Sequence, residues 1–473
     1  MDPVLTIDNL TYLYPEGSRP ALHDVSLSLA SGECVCLTGP SGCGKTTLLL
    51  AIQGLLKGSG LQGKITVAPS SSCLDVGMVF QNAETQIICT TVEDEASFGL
   101  SNFDLAPGAI SRAIKEALDA VGLAGFEKRN VEELSAGEKQ RLTIASLLSL
   151  GPGLLLLDEP TSQLDADGKK KLIELLAALK IQGHSLLIVD HDLFPFRSLG
   201  DRFVFMKDGG IVNILNKPPI ETRPSEPVAN AEPAPLPDEK ASHAVVVRNL
   251  QVARNGAPSV FDGLDLAVSD AELLHIYGRN GAGKSTLLRC LCGLVKVRSG
   301  HVEIVGIQSP RPEKLLGKAG LLFQNPQRQL FEDTVFDEVG FSLKRLGLPP
   351  HEIQDRVSES LTLCDAGDLA DRPPLTLSFG EQHRVALASV LAPRPRVLLL
   401  DEPFAGLDMG QRFRLLRILE EVRDRFGSTV IIASHDPILD PHWADRVLII
   451  ENGRLSQGSQ PERIQERHAR MPI

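Results

Sequence analysis

The chain repeats itself, and the repeat limits what it can fold into. Gly39-Pro40-Ser41-Gly42-Cys43-Gly44-Lys45-Thr46-Thr47 returns as Gly278-Arg279-Asn280-Gly281-Ala282-Gly283-Lys284-Ser285-Thr286. Lys45 and Lys284 stand 239 positions apart. Gln81/Gln324, Ser135/Ser378, Asp158/Asp401 and Asp165/Asp408 are each separated by 243, and His191/His435 by 244. So constant an offset means a duplicated domain with small loop insertions, because solenoid units run at only tens of residues.

Each repeat opens on the pattern G-x-x-x-x-G-K-[ST] after an apolar, strand-like stretch. Its glycines let backbone N–H groups close around phosphate oxygens, helped by the positive end of the helix that follows. Lys45 and Lys284 supply point charges to β- and γ-phosphates, and Thr46 and Ser285 offer hydroxyls to Mg²⁺. A glycine-rich turn with no ligand is the bland alternative, and two matches in the same context argue against it. The apolar runs 154–157 and 397–400 end in Asp158-Glu159-Pro160 and Asp401-Glu402-Pro403. The first acid suits a water-mediated Mg²⁺ contact, and the second can orient or deprotonate an attacking water. Alone, such a pair reads as a solvated loop; beside a phosphate loop it reads as catalytic.

Both halves share one order of elements. A strand-like alternation (4–10; 244–252) precedes the loop, and a polar, helix-periodic insert (111–122; 351–364) follows it. Apolar strands come next, 154–157 and 186–189, then 397–400 and 430–433. Continuous apolar strands alternating with helices predict an α/β fold with a mostly parallel sheet covered on both faces. Residues 218–242 break the pattern with seven prolines among Glu, Ala and Ser and little to bury. They read as a semi-stiff linker between domains 1–217 and 243–473, about 25 residues reaching roughly 75 Å at ~3.1 Å each.

Composition narrows the function. A length of 473 residues suits more than one domain, and 42% apolar residues supply real cores. A net charge of −12 argues against nucleic-acid binding. No apolar run approaches the ~20 residues that span a bilayer, and Met1-Asp2-Pro3-Val4 lacks the basic-then-apolar pattern of a signal peptide. The expectation is a cytosolic protein. The eight cysteines show no metal spacing; Cys34, Cys36, Cys290 and Cys292 are expected to be small buried hydrophobes in a reducing compartment.

Leu134-Ser135-Ala136-Gly137-Glu138 and Leu377-Ser378-Phe379-Gly380-Glu381, each leading into a basic helix, resemble the signature motif of ATP-binding cassette (ABC) ATPases. Ala136 and Phe379 depart from the usual first glycine of that motif. The resemblance covers both halves and implies two P-loop NTPase domains, each a mostly parallel core sheet flanked by helices. An antiparallel β subdomain and a helical signature subdomain would complete each. It implies ATP and Mg²⁺ as cofactors, Gln81 and Gln324 as sensors of Mg²⁺ and water, and Asp165 and Asp408 at the domain interface. It also implies that His191 and His435 contact γ-phosphate, although a lone histidine after a strand is ordinarily structural. The halves would then pair head to tail. One site would join Lys45, Gln81, Asp158, Glu159 and His191 to Ser378 and Gly380. The other would join Lys284, Gln324, Asp401, Glu402 and His435 to Ser135 and Gly137. Tyr14 falls where the family stacks an aromatic on adenine, with ordinary packing as its alternative; the matching position is Arg254.

The segments 80–95 and 323–338 (F-Q-N-x-x-x-Q, then T-V-x-D-E) resemble the ATPases of energy-coupling factor (ECF) transporters, importers of vitamins or transition metals. Tandem sugar-importer ATPases and soluble ABC proteins acting on ribosomes are the alternatives. The ECF resemblance implies peripheral attachment to the cytoplasmic face of the membrane. The partners would be a transmembrane coupling protein and a substrate-binding membrane subunit. It places the coupling groove along 82–98 and 325–341, with Ile87, Ile88, Val92 and Phe98, and Leu330, Phe331, Val335 and Phe341, as candidate lining residues. Packing of the helical insert onto its own core is the alternative there.

Overall fold

The computed structural model describes residues 3–15, 19–56, 60–70, 72–162, 164–217, 227, 229–233, 242–253, 259–438, 440 and 442–458. The chain divides into two units, Met1–Glu221 and Thr222–Ile473.

In the first unit the strands are β1 (Pro3–Tyr12), β2 (Leu22–Ala30), β3 (Cys34–Thr38), β4 (Leu61–Val67) and β5 (Val76–Val79). Then follow β6 (Leu154–Asp158), β7 (Ser185–Val189), β8 (Arg202–Lys207) and β9 (Gly210–Leu215). The helices are α1 (Lys45–Ile52), α2 (Val92–Phe98), α3 (Pro107–Ala120), α4 (Ala136–Leu148) and α5 (Ala166–Ile181). A six-stranded sheet runs β5-β6-β7-β3-β8-β9, parallel except for the last pair. A separate antiparallel sheet, β2-β1-β4, stands beside it.

The second unit repeats this plan. Its strands are β10 (Ala229–Pro233), β11 (His243–Ala253), β12 (Ser259–Ser269), β13 (Leu273–Tyr277), β14 (Ser299–Ile304) and β15 (Ile307–Gln308). They continue as β16 (Ala319–Leu322), β17 (Val397–Asp401), β18 (Thr429–Ser434), β19 (Arg446–Glu451) and β20 (Arg454–Gly458). Helices α6 (Lys284–Leu291), α7 (Pro312–Leu315), α8 (Val335–Arg345), α9 (Pro350–Leu363), α10 (Phe379–Leu391) and α11 (Met409–Phe426) complete it.

The expected α/β architecture is therefore present twice. The central strands β6, β7, β17 and β18 are buried at every position, which is why they read as unbroken apolar runs rather than alternations. In each unit one core fills the space between the parallel and antiparallel sheets, and a second joins the parallel sheet to the helical insert. The insert helices begin earlier than periodicity alone suggests, because Pro107 and Pro350 occupy the first helical position, where a missing N–H costs nothing.

The linker differs from a plain tether. Residues 229–233 form β10, which pairs antiparallel with β20 (Ala229 with Gly458, Pro233 with Ser456) and extends the second sheet to seven strands. Backbone pairing needs no apolar side chains, so composition could not signal it. Cys34, Cys36, Cys290 and Cys292 are buried as expected. No group of acids, cysteines and histidines among the described residues could hold a metal by itself. No helix there is long and apolar enough to cross a membrane.

Candidate functional site

Both nucleotide loops are wound around left-handed glycines. Gly44 (φ 102°) and Gly283 (φ 105°) sit immediately before α1 and α6. A Cβ on Gly44 would lie 2.3 Å from the Ala21 carbonyl oxygen, so no other residue fits. The first-turn lysines are buried and fold over their own loops. Lys45 Nζ donates to the carbonyls of Gly39 (2.8 Å) and Pro40 (3.0 Å), and Lys284 Nζ to those of Gly278 (2.7 Å) and Arg279 (3.0 Å). Tyr14 stands 41% exposed beside the first loop, its hydroxyl 3.2 Å from Thr47 Oγ1 and its ring edge-on to Tyr12. Arg254 lies outside the described residues.

The acidic strand ends come to the same place. Thr46 Oγ1 donates to Asp158 Oδ2 at 2.9 Å, and Ser285 Oγ to Asp401 Oδ1 at 2.8 Å. Burial, aided by the neighbouring Glu159 charge, pushes Asp158 up to about 7, and burial likewise raises Asp401. A hydroxyl beside a carboxylate is a hard oxygen donor set of the kind Mg²⁺ takes. Asp158 Oδ1 is also buried without a hydrogen bond, so the residues fit that ion.

Glu159 (φ 46°) and Glu402 (φ 50°) both hold the left-handed conformation, uncommon outside glycine. Each is fixed there by its N–H, which donates to Val189 (2.7 Å) or Ala433 (2.8 Å) on the adjoining strand. Strain held by surrounding structure is found at functional sites, and here it falls on the second acid of both strand ends. Glu159 accepts from Gln81 Nε2 at 2.7 Å and lies 2.5 Å from His191 Nε2. Glu402 meets His435 Nδ1 at 2.8 Å and Lys284 Nζ at 3.0 Å. Burial works to raise Glu402, but the His435 hydrogen bond and charge, with Lys284, hold it below the usual carboxylate range. Gln324 is exposed and makes no hydrogen bond to Glu402. The two sites therefore share their parts list and differ in wiring.

Ser135 and Ser378 are N-caps of α4 and α10, each in a capping box with Glu138 or Glu381. Asp165 and Asp408 cap α5 and α11. Gly137 and Gly380 begin their helices with ordinary room around them: a Cβ would meet its nearest atom at 3.6 Å and 3.4 Å. Nothing within its own unit requires either glycine.

Sequence reasoning treated the T-V-x-D-E segments as subfamily markers and missed their structural work. Thr91 and Thr334 cap α2 and α8. Glu95, buried, accepts the N–H groups of Ile88 (3.0 Å) and Cys89 (2.9 Å). Glu338 does the same for Phe331 (2.7 Å) and Glu332 (2.9 Å). Gln86 and Gln329 brace the same loops by accepting the N–H groups of Phe80 and Phe323. The loops thereby present Ile88 (62% exposed) and Phe331 (60%) to solvent. Phe98 is also exposed, and Ile87 and Phe341 are half-buried. Val92, Leu330 and Val335 are core residues instead, because they face the helical insert. As groove-lining candidates these three are withdrawn.

The ABC transporter family model matches residues 22–162 and 261–405, one copy per unit. The chain belongs to the ABC transporter family. It is an ABC ATPase built as a tandem. A Methanosarcina mazei protein named "Putative ABC transporter ATP-binding protein" is 33% identical, over 96% of this chain and 88% of its own. The Bacillus subtilis "Putative HMP/thiamine import ATP-binding protein YkoD" is 29% identical, over 98% of this chain and 92% of its own. The solved structure of cbiO1 from Clostridium perfringens, described as part of the ABC transporter complex cbiONQ, shows 34% identity. It aligns with a TM-score of 0.43 over 46% of this chain and 89% of that one.

Proposed function

We propose that this ABC ATPase powers import of a vitamin, a vitamin precursor or a transition metal through an ECF-type transporter. The observation that carries the reading is the pair of loops braced by Gln86 and Glu95, and by Gln329 and Glu338. They hold one large apolar side chain in solvent in each unit, Ile88 seven residues after Gln81 and Phe331 seven residues after Gln324. The relative named for HMP/thiamine import supports it.

In this reading Gly39 to Thr47 and Gly278 to Thr286 cradle the phosphates of ATP, with Lys45 and Lys284 turning from loop carbonyls to phosphate oxygens. Thr46 with Asp158, and Ser285 with Asp401, would hold Mg²⁺, which when bound offsets the charge developing on the phosphates. Glu159 and Glu402 take the proton of the attacking water, oriented by His191 and His435. The halves pair head to tail within the chain, so that Ser378 and Gly380 complete the site of Lys45, and Ser135 and Gly137 that of Lys284. Asp165 and Asp408 line that pairing. Covalent linkage makes the closure intramolecular, and closure is passed to a transmembrane coupling protein bearing a substrate-binding subunit at the cytoplasmic membrane face.

Affinity purification of the chain from native membranes tests this. It should bring down a polytopic membrane protein, and I88E and F331E should abolish that association while leaving ATP binding intact. V228E in the linker, outside the described residues, should change nothing. Retained association in both variants, or no membrane protein in the wild-type eluate, would overturn the assignment.

A further inference from the structure

The residue preceding each of the two switch histidines, His191 and His435, clasps the loop in both units, but it is anchored differently. In the first unit this residue is Asp190. Its Oδ1 accepts the Asp192 N–H at 3.0 Å, and its Oδ2 accepts the Thr161 hydroxyl at 2.7 Å. His191 is thus tied to the loop just after Glu159. In the second unit the corresponding residue is Ser434, fully buried. Its hydroxyl donates to the Asp436 carbonyl at 2.6 Å and lies 3.1 Å from His275 Nε2. A serine hydroxyl has one hydrogen, and Asp436 takes it, so His275 Nε2 must carry the proton and donate. Burial pushes His275 down to about 4, which keeps the imidazole neutral. His275 lies on β13, three residues before the first glycine of the second nucleotide loop, and that glycine, Gly278, donates its N–H to the Ser434 carbonyl at 3.1 Å. The register pairs Tyr277 with Ser434 on the adjoining strand. In the first unit β3 carries Cys36 at the place of His275, and the counterpart of Thr161 in the second is Phe404, so neither anchor can be exchanged for the other.

We infer that His275 is a positioning residue for ATP hydrolysis at the second site, holding Ser434 and through it His435 in register with the nucleotide loop that contains Lys284. The inference rests on the ATPase activity and not on the transported solute. His435 in turn bonds Glu402. Loss of the anchor lets the histidine and glutamate drift from the water they serve while the phosphate cradle stays whole. The two switch histidines then answer to different elements: His191 to the loop following its catalytic glutamate, His435 to its nucleotide strand.

Steady-state hydrolysis by the full chain tests this with H275L, H275Q and S434A. One buried hydrogen bond corresponds to roughly three- to tenfold in rate. H275L and S434A should lower kcat by about that factor with KM for ATP within twofold of wild type. H275Q, whose amide can still donate to Ser434, should recover most of the loss. Unchanged kcat in S434A, which removes only one oxygen, would overturn the inference. So would equal losses in H275Q and H275L, or a rise in KM matching the fall in kcat, since each indicates general packing rather than positioning.

Discussion

At the scale of single residues, the duplicated motifs were legible because phosphate chemistry demands fixed residue types at fixed spacing. Tyr14 stands beside the first nucleotide loop, its hydroxyl 3.2 Å from Thr47 Oγ1, and the adenine stacking proposed for it gives a direct expectation. Stacking on adenine is worth about 0.5–1.5 kcal/mol, so Y14A should weaken ATP binding a few-fold to tenfold. A fluorescent ATP analogue titrated into K284A and Y14A/K284A chains reads that site alone; equal constants would make Tyr14 an ordinary packing residue. What the sequence hid is the wiring. That Glu159 takes Gln81 and His191 while Glu402 takes Lys284 and His435 depends on side-chain directions a few ångströms apart, which identical motifs do not encode.

At the scale of elements, strands were the most legible because full burial writes them as apolar runs. Helix starts were less so, since Pro107 and Pro350 precede the periodic stretch. The coupling loops were misjudged at Val92, Leu330 and Val335, because apolar residues in a loop read alike whether they face core or solvent. The glutamates that fold those loops allow a sharper expectation. E338A leaves two N–H groups without their acceptor, at about 1–3 kcal/mol, and should make the Phe331 loop the first point of limited proteolysis; wild-type cleavage kinetics would contradict that. Strand β13 and helix α10 also carry a pH dependence. Burial pushes His275 and His383 down to about 4, while in the unfolded chain each titrates near 6.5. Between those values the unfolded state binds protons that the native state does not, so stability is full above pH 6.5 and falls as pH drops toward 4, by up to roughly 3 kcal/mol per group. Asp401 and Glu402 shift in opposite directions, Asp401 raised chiefly by burial and Glu402, against burial, lowered by the His435 hydrogen bond. Trp443 is the chain's one tryptophan and is buried in the second unit, so its fluorescence reports that unit. Its urea midpoint should fall from pH 7 to pH 5, and fall less in H383Q, which installs the residue found at the matching Gln140. Identical slopes would exclude His383 as a source.

At the scale of the whole molecule, duplication set the architecture, and composition pointed to an extended, semi-stiff linker. Strand β10 shows what that left out: five residues of the proline-rich segment pair with β20 in the second sheet, and no alternation in the sequence announces it. Each unit carries a strained glutamate bonded to the histidine after β7 or β18, and in the proposed mechanism both glutamates hydrolyse ATP. The most direct measurement is the ATP hydrolysis rate of E159Q, E402Q and the double variant, with bound nucleotide quantified in each. Both single variants should lose most of the activity, and the double variant should retain ATP without turning it over. Parental hydrolysis in either single variant would show that its site is not catalytic and contradict the claim.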